Sequence, residues 1–279
     1  MDTNFRDSIV LRVAVIVVVL STSVLAQSNA PGVTLANTEQ RAITSAKIGQ
    51  RYDLLVSLPE GYATSGKAYP VLYVLDGWHF PLMAFFQNNS LYSKRMPPAI
   101  MVNISHGTTN YMALRARDFT PTRTAVEQGS GGAPAFLEFL ENDIIPFVER
   151  TYRTIPADRA LLGHSYGGLF ALYALEQRPA LFQRIVAASP SVGWDNRLLF
   201  SARDRLKAIS IPVRLDLSVG DDEWLKADVT AFAKLLDEVK PANVDYRFTV
   251  YRGENHDSVR LASFPAGLYW VYRPSPSVR

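Results

Sequence analysis

The feature that most constrains this chain is a short run in its middle, Arg159-Ala160-Leu161-Leu162-Gly163-His164-Ser165-Tyr166-Gly167-Gly168. A brief apolar stretch passes directly into Gly-x-Ser-x-Gly, and a helical pattern, Tyr166 to Gln177, begins at once and stops before Pro179. A serine at so tight a strand-to-helix turn is pushed into a strained backbone conformation with its hydroxyl exposed, and a Cβ two residues to either side would crowd the turn. The helix N-terminus supplies free N–H groups and the positive end of a dipole beside that hydroxyl. Gly-x-Ser-x-Gly alone is a weak pattern; the strand before it and the helix after it make it specific. Ser165 is the candidate nucleophile, and the Tyr166 N–H the first candidate donor to an oxyanion.

Around this run, apolar segments alternate with helical ones. Pro70 to Leu75 and Ala99 to Ile104 are continuous apolar runs that suit strands buried on both faces of a parallel sheet. Further strands are expected at Tyr52 to Leu58, Arg184 to Ala188, Val213 to Val219 and Val244 to Tyr251. Helices are expected at Ala135 to Arg150, Arg197 to Ala208, Asp228 to Val239 and Ser258 to Tyr272. His106 to Gly132 is a long polar segment without a clear period, of the kind that shapes a site rather than a core. The alternation predicts a doubly wound, mostly parallel α/β sheet in a single domain. With 279 residues, 48% of them hydrophobic, the chain is long enough to bury one sizeable core.

A serine hydroxyl needs a base. The four histidines are His79, His106, His164 and His256. His164 sits inside the turn with its side chain directed away from the hydroxyl, and His79 and His106 precede the serine. His256 follows the last expected strand and is the candidate base. An acid that fixes the imidazole tautomer belongs after the preceding strand, where Gly220-Asp221-Asp222-Glu223-Trp224 offers three carboxylates. A second oxyanion donor belongs in Leu75-Asp76-Gly77-Trp78-His79-Phe80, with the Trp78 N–H favoured over that of Gly77. Trp78 serves equally well as a plain pocket aromatic.

Net charge is only +3, with no long basic block, so a nucleic-acid partner is not expected. The chain has no cysteine, which excludes disulfides, thiolate chemistry and Cys-based zinc sites. No metal or cofactor is expected. At the N-terminus, Arg6 and Arg12 precede the apolar run Val13 to Leu20, and Val24-Leu25-Ala26 ends in a small residue before Gln27. Residues 1–26 read as a cleaved signal peptide, residues 27–42 as a linker and residues 43–279 as the folded domain, placed in the periplasm or secreted. The apolar run is short for a membrane span.

Five motifs together carry a resemblance. They are Leu75-Asp76-Gly77, Arg115-Ala116-Arg117-Asp118-Phe119-Thr120-Pro121, Gly163-His164-Ser165-Tyr166-Gly167-Gly168-Leu169-Phe170, Ala187-Ala188-Ser189-Pro190-Ser191 with Trp194, and Gly253-Glu254-Asn255-His256-Asp257-Ser258-Val259. From Ile43 to Tyr272 the chain resembles the esterase group of α/β-hydrolases, and within it the enterobactin and related siderophore esterases, periplasmic ones among them. The resemblance implies a serine esterase with the chain order Ser165, acid, His256. It also implies Glu223 as the acid, ahead of Asp222 and then Asp221, because related sequences often place it three residues after the glycine. The substrate implied is a small-molecule ester, siderophore-like in the first place. Feruloyl and short acyl esters, or acyl transfer, are alternatives on the same fold, and a non-catalytic binding protein is an alternative of another class. Arg117, in the Arg115-Arg117-Asp118 cluster, is a candidate for orienting an anionic or catecholate group, against the plainer reading of an ion pair that pins the loop. Trp194 is a candidate lining of the acyl pocket, against simple packing.

Overall fold

The computed structural model describes residues 35–80 and 95–274, so the expected signal peptide and the first part of the expected linker lie outside the described residues. The strands are β1 (Thr38–Ser45), β2 (Gln50–Ser57), β3 (Tyr69–Leu75), β4 (Ile100–Ser105), β5 (Thr154–His164), β6 (Arg184–Ala188), β7 (Val213–Asp222) and β8 (Val244–Asn255). They form one eight-stranded sheet in the order β1-β2-β4-β3-β5-β6-β7-β8. The run from β4 to β8 is parallel, while β2 is antiparallel to both its neighbours.

The helices that position the site are α1 (Tyr111–Phe119), α2 (Ala133–Phe139), α3 (Ile145–Thr151), α4 (Tyr166–Gln177), α5 (Lys226–Val239) and α6 (Val259–Val271). They pack on both faces of the sheet. Val71, Tyr73 and Leu75 of β3 face the side that holds Phe119, Phe136, Phe170 and Leu236 from α1, α2, α4 and α5. Leu72 and Val74 face the other side, against Phe264, Leu268 and Val271 of α6. Each apolar run is buried from both sides, which is why these strands carry no polar alternation. The expected α/β-hydrolase fold, doubly wound and in a single domain, is the fold observed.

The chain passes from β3 to β4 on one side and returns to β5 on the other, so strand order reverses between β3 and β5. In open α/β sheets the crevice beyond the strand C-termini at such a reversal is the ligand site. Here it holds Asp76-Gly77-Trp78, after β3, and Ser165, after β5.

Three segments differ from the expectation. β1 occupies most of the segment read as the end of a linker, because an exposed edge strand such as Thr38–Ser45 carries little apolar signal. The polar segment from His106 contains α1, whose Arg115 and Asp118 face inward and erase the apolar period. The helix expected over Arg197 to Ala208 is broken into a turn at Trp194–Arg197, a 3-10 turn at Leu198–Ala202 and a short helix at Arg203–Lys207. Asp195, Asn196 and Arg197 all have positive φ there, in the left-handed region that a right-handed helix cannot accommodate.

Candidate active site

Ser165 sits between β5 and α4 at φ 58°, ψ −119°, a region that an L-residue enters only under strain. Such a conformation costs on the order of 1–3 kcal/mol and persists where the surroundings fix it. Its N–H donates to Ala188 O (3.1 Å), and its carbonyl accepts from the N–H groups of Leu169 (2.9 Å) and Ser191 (3.2 Å). The turn closes so tightly that a Cβ on Gly163 would lie 2.1 Å from the Gly167 carbonyl oxygen, so only glycine fits. Tyr166 opens α4, and its N–H, in the first helical turn, lacks an intrahelical acceptor.

His256 lies just past β8, and Glu223 just past β7. The His256 Nδ1–H donates to Glu223 Oε2 at 2.6 Å. The other carboxylate oxygen, Oε1, accepts from Ser189 Oγ and from the Gly220 N–H, each at 2.5 Å. Burial alone would raise the pKa of the fully buried Glu223 carboxyl, but the hydrogen bonds from His256, Ser189 and Gly220 outweigh it and hold the group below its usual value. Its neighbours do other things. Asp221 Oδ1 accepts from the Gly253 N–H (2.7 Å) and so ties β7 to the end of β8, while Asp222 is exposed.

The turn after β3 is held by a buried ion pair. Arg115 of α1 donates twice to Asp76, Nε to Oδ1 at 2.8 Å and an amino group to Oδ2 at 2.9 Å. The same amino group reaches the His164 carbonyl at 3.2 Å, so one guanidinium joins the turn after β3 to the last residue of β5. Gly77 packs so closely on the end of β4 that a Cβ would lie 2.3 Å from the Ser105 Cβ. The Trp78 indole N–H donates to His79 Nε2 (3.1 Å), and burial lowers the His79 pKa to about 4, which keeps that nitrogen free to accept.

These elements surround a cavity of about 590 Å3 lined by Trp78, Tyr111, Met112, Arg115, His164, Ser165, Tyr166, Ser191, Trp224, His256, Asp257 and Arg260. Ser165 and His256 thus meet in one space, although no hydrogen bond joins the hydroxyl to the imidazole among the described residues. Contacts of this kind commonly tighten only with substrate bound. Trp78, Tyr111, Met112 and Trp224 are all exposed on the rim, Trp224 at 73%. A larger cleft, about 790 Å3, opens beside Val213 and Val244, the first residues of β7 and β8, but neither a serine nor a histidine lines it. Chemistry, not size, selects the first cavity. Among the described residues no group of three or more His, Asp or Glu side chains gathers as a metal site would.

Two candidates from the sequence lie away from this cavity. Arg117 turns the other way, donating to both oxygens of Asp118 (2.6 and 3.0 Å) and to the Tyr52 hydroxyl (3.2 Å), beside a separate cavity with Gly131 and Gly132. Its place is the loop-pinning ion pair. Trp194 stands one ring behind, edge-on to Tyr166 at 5.5 Å, with its indole N–H on Thr122 Oγ1 (3.1 Å). The arginines that do line the cavity are Arg115, already paired with Asp76, and Arg260. Tyr111, Met112, Trp224 and Arg260 carried no sequence signal beyond proximity to the motifs.

A family model described as "Putative esterase" matches residues 45–257. The ferri-bacillibactin esterase BesA of Bacillus subtilis is 28% identical over 86% of this chain and 91% of that protein. The siderophore triacetylfusarinine C esterase of Aspergillus fumigatus is 29% identical over 88% of this chain and 96% of that protein. Among solved structures, the BES protein from Bacillus cereus superposes with a TM-score of 0.80 at 27% identity, covering 88% of this chain and 98% of that one.

Proposed function

The chain belongs to the "Putative esterase" family and is a carboxylic ester hydrolase, and from that premise we propose that it cleaves siderophore esters with Ser165, His256 and Glu223 as its catalytic groups. The Ser165 Oγ attacks the ester carbonyl while His256 Nε2 takes its proton, and Glu223 holds the imidazolium through Nδ1–H. The tetrahedral oxyanion is met by the Tyr166 and Trp78 N–H groups. The alcohol leaves with the proton returned by His256, and water repeats the sequence on the acyl-enzyme to free the acid and restore Ser165.

The observation that carries this reading is the meeting of Ser165 with the Glu223–His256 pair in one cavity. Substrate class rests on the rim. Exposed Trp78, Tyr111 and Trp224 suit a bulky ester with flat groups, and two relatives are named for siderophore esters. A screen of ferri-bacillibactin, triacetylfusarinine C, methyl ferulate and p-nitrophenyl butyrate tests it. A kcat/KM for a siderophore ester about 100-fold above the other esters is expected; preference for the ferulate or the butyrate would overturn the substrate assignment.

We also propose that the protein works outside the cytoplasm. The cations Arg6 and Arg12, the apolar run Val13 to Leu20 and the small residue Ala26 support cleavage after Ala26. The full chain, expressed in a Gram-negative host and recovered from the periplasm, should begin at Gln27. An intact Met1 in the cytoplasmic fraction would refute export.

A further inference from the structure

We infer that His164, the residue immediately before the nucleophile, is a positioning residue that sets the spacing between Ser165 and His256. The inference rests on the reading of His256 as the base. The loop that carries His256 is tied mainly to itself and to the end of β7. Asn255 Oδ1 accepts from the Asp257 and Ser258 N–H groups (2.9 Å each), the Asn255 N–H donates to Ser258 Oγ (3.0 Å), and Glu223 orients Nδ1. Of these contacts, only the one to Glu223 leads toward β5, and it does so indirectly, through Ser189 of the loop after β6. The direct bond is from His164, whose Nε2 donates to the His256 carbonyl at 2.8 Å. Because His164 and Ser165 are adjacent in the chain, one hydrogen bond and one peptide unit connect the backbones of base and nucleophile.

The surroundings make the bond firm. His164 is 3% exposed, and its own carbonyl is held by Arg115. Its ring lies 4.5 Å from that of His256 at a 40° tilt, and Trp224 lies 4.5 Å from His256 at 43°, so two rings flank the imidazole. A carbonyl oxygen can only accept, so His164 carries its proton on Nε2. Burial, followed by the nearby His256, pushes the His164 pKa well below its ordinary value. The ring therefore stays neutral and adds no second cation against the imidazolium that forms on His256 during acylation.

The test compares wild type, His164→Phe, His164→Gln and His256→Ala in p-nitrophenyl butyrate turnover, in Ser165 labelling by a fluorophosphonate and in thermal midpoint. Phe keeps the ring without the donor, and Gln carries an N–H donor to about the same reach. His164→Phe is expected to lower kcat and the labelling rate about 10- to 100-fold, as misplacement of a reacting group by about 1 Å does, with KM nearly unchanged. His164→Gln is expected to recover most of that loss at a similar thermal midpoint. Wild-type kcat in His164→Phe, or a Gln variant as slow as the Phe variant, overturns the inference. If His256→Ala is inactive while His164→Phe runs at wild-type speed, only the positioning role fails. If His256→Ala remains active, the base assignment fails and the positioning role with it.

Discussion

Among the described residues two histidine–carboxylate pairs occur, His256 with Glu223 at 2.6 Å and His106 with Asp118 at 3.0 Å. They differ in what surrounds them. Asp118 accepts from His106, twice from Arg117 and from the Tyr52 hydroxyl, so its lone pairs are filled from inside the core. The His106 ring lies between Tyr52 (5.5 Å) and Phe119 (5.7 Å) and is 3% exposed at its side chain. Glu223 is as deeply buried as Asp118, but two neutral donors fill one of its oxygens and leave the other for His256, whose side chain is 14% exposed and lines the cavity with Ser165. A buried carboxylate can orient a histidine in either setting. Only where the ring reaches a cavity that also holds a hydroxyl does the pair become a means of moving protons.

The largest effects should separate the two pairs outright. Ser165→Ala or His256→Ala should lower kcat by roughly 10⁴- to 10⁶-fold with the fold intact, as removing members of such a unit does. His106→Phe, in the other pair, should keep turnover near wild type below its melting point while losing stability, and a folded His106 variant as slow as His256→Ala would break the comparison. Next comes the carboxylate. Glu223→Gln should cost about 10²- to 10⁴-fold in kcat through loss of the oriented tautomer, whereas exposed Asp222→Asn should stay near wild type. Steady-state kinetics with thermal melts on the same preparations reads all of these, and a loss confined to Asp222→Asn would reassign the acid.

How much of this was legible in the sequence follows from how local each feature is. The turn around Ser165 is one contiguous run, and the continuous strands β3 to β7 advertise burial on two faces. The late-loop position of His256 follows from chain order alone. Among Asp221, Asp222 and Glu223 the residues alone made no choice and the resemblance put Glu223 first; the contact that turns Glu223 inward comes from far along the chain, Ser189 Oγ in the loop after β6. Arg115 and Arg117 illustrate the limit best. They stand two residues apart on α1, and a rotation of that order about a helix axis sends one into the cavity and the other toward Asp118 and Tyr52. The motif marks both, and only packing tells which is which.

That division gives a third prediction, one of stability rather than rate. Arg117→Met removes the cation from buried Asp118, and breaking a buried pair by removing one partner costs about 3–5 kcal/mol. Arg117 is partly exposed, so the lower end of that range, about 3 kcal/mol, is the expected loss in a urea titration. KM for the ester should not move. A raised KM without lost stability would return Arg117 to the substrate site and remove the contrast between the two clusters.

The smallest effect concerns acid, and here the pairs should differ in degree. Burial works first to raise the Asp118 pKa, but hydrogen bonds from His106, Arg117 and Tyr52 outweigh it and hold the carboxyl below its ordinary value, and Glu223 is held low in the same way. A carboxyl depressed by folding stabilises the native state above its unfolded pKa of about 4, and that stabilisation is lost as pH falls through the lower native value. Both pairs therefore steepen the acid limb of the stability profile. Asp118, with a guanidinium among its donors, should steepen it more, so Asp118→Asn should flatten that limb further than Glu223→Gln. Asp216 on β7 works in the opposite sense. Burial, only partly offset by Arg247, raises its pKa to about 6, so stability from this group grows as pH falls from about 6 toward 4. Asp216→Asn should remove that gain and leave the limb below pH 4 unchanged. Urea midpoints at closely spaced pH values from 3 to 7 would read all three slopes. Equal flattening by Asp118→Asn and Glu223→Gln would mean that the two pairs differ in access to the cavity and not in how firmly each holds its charge.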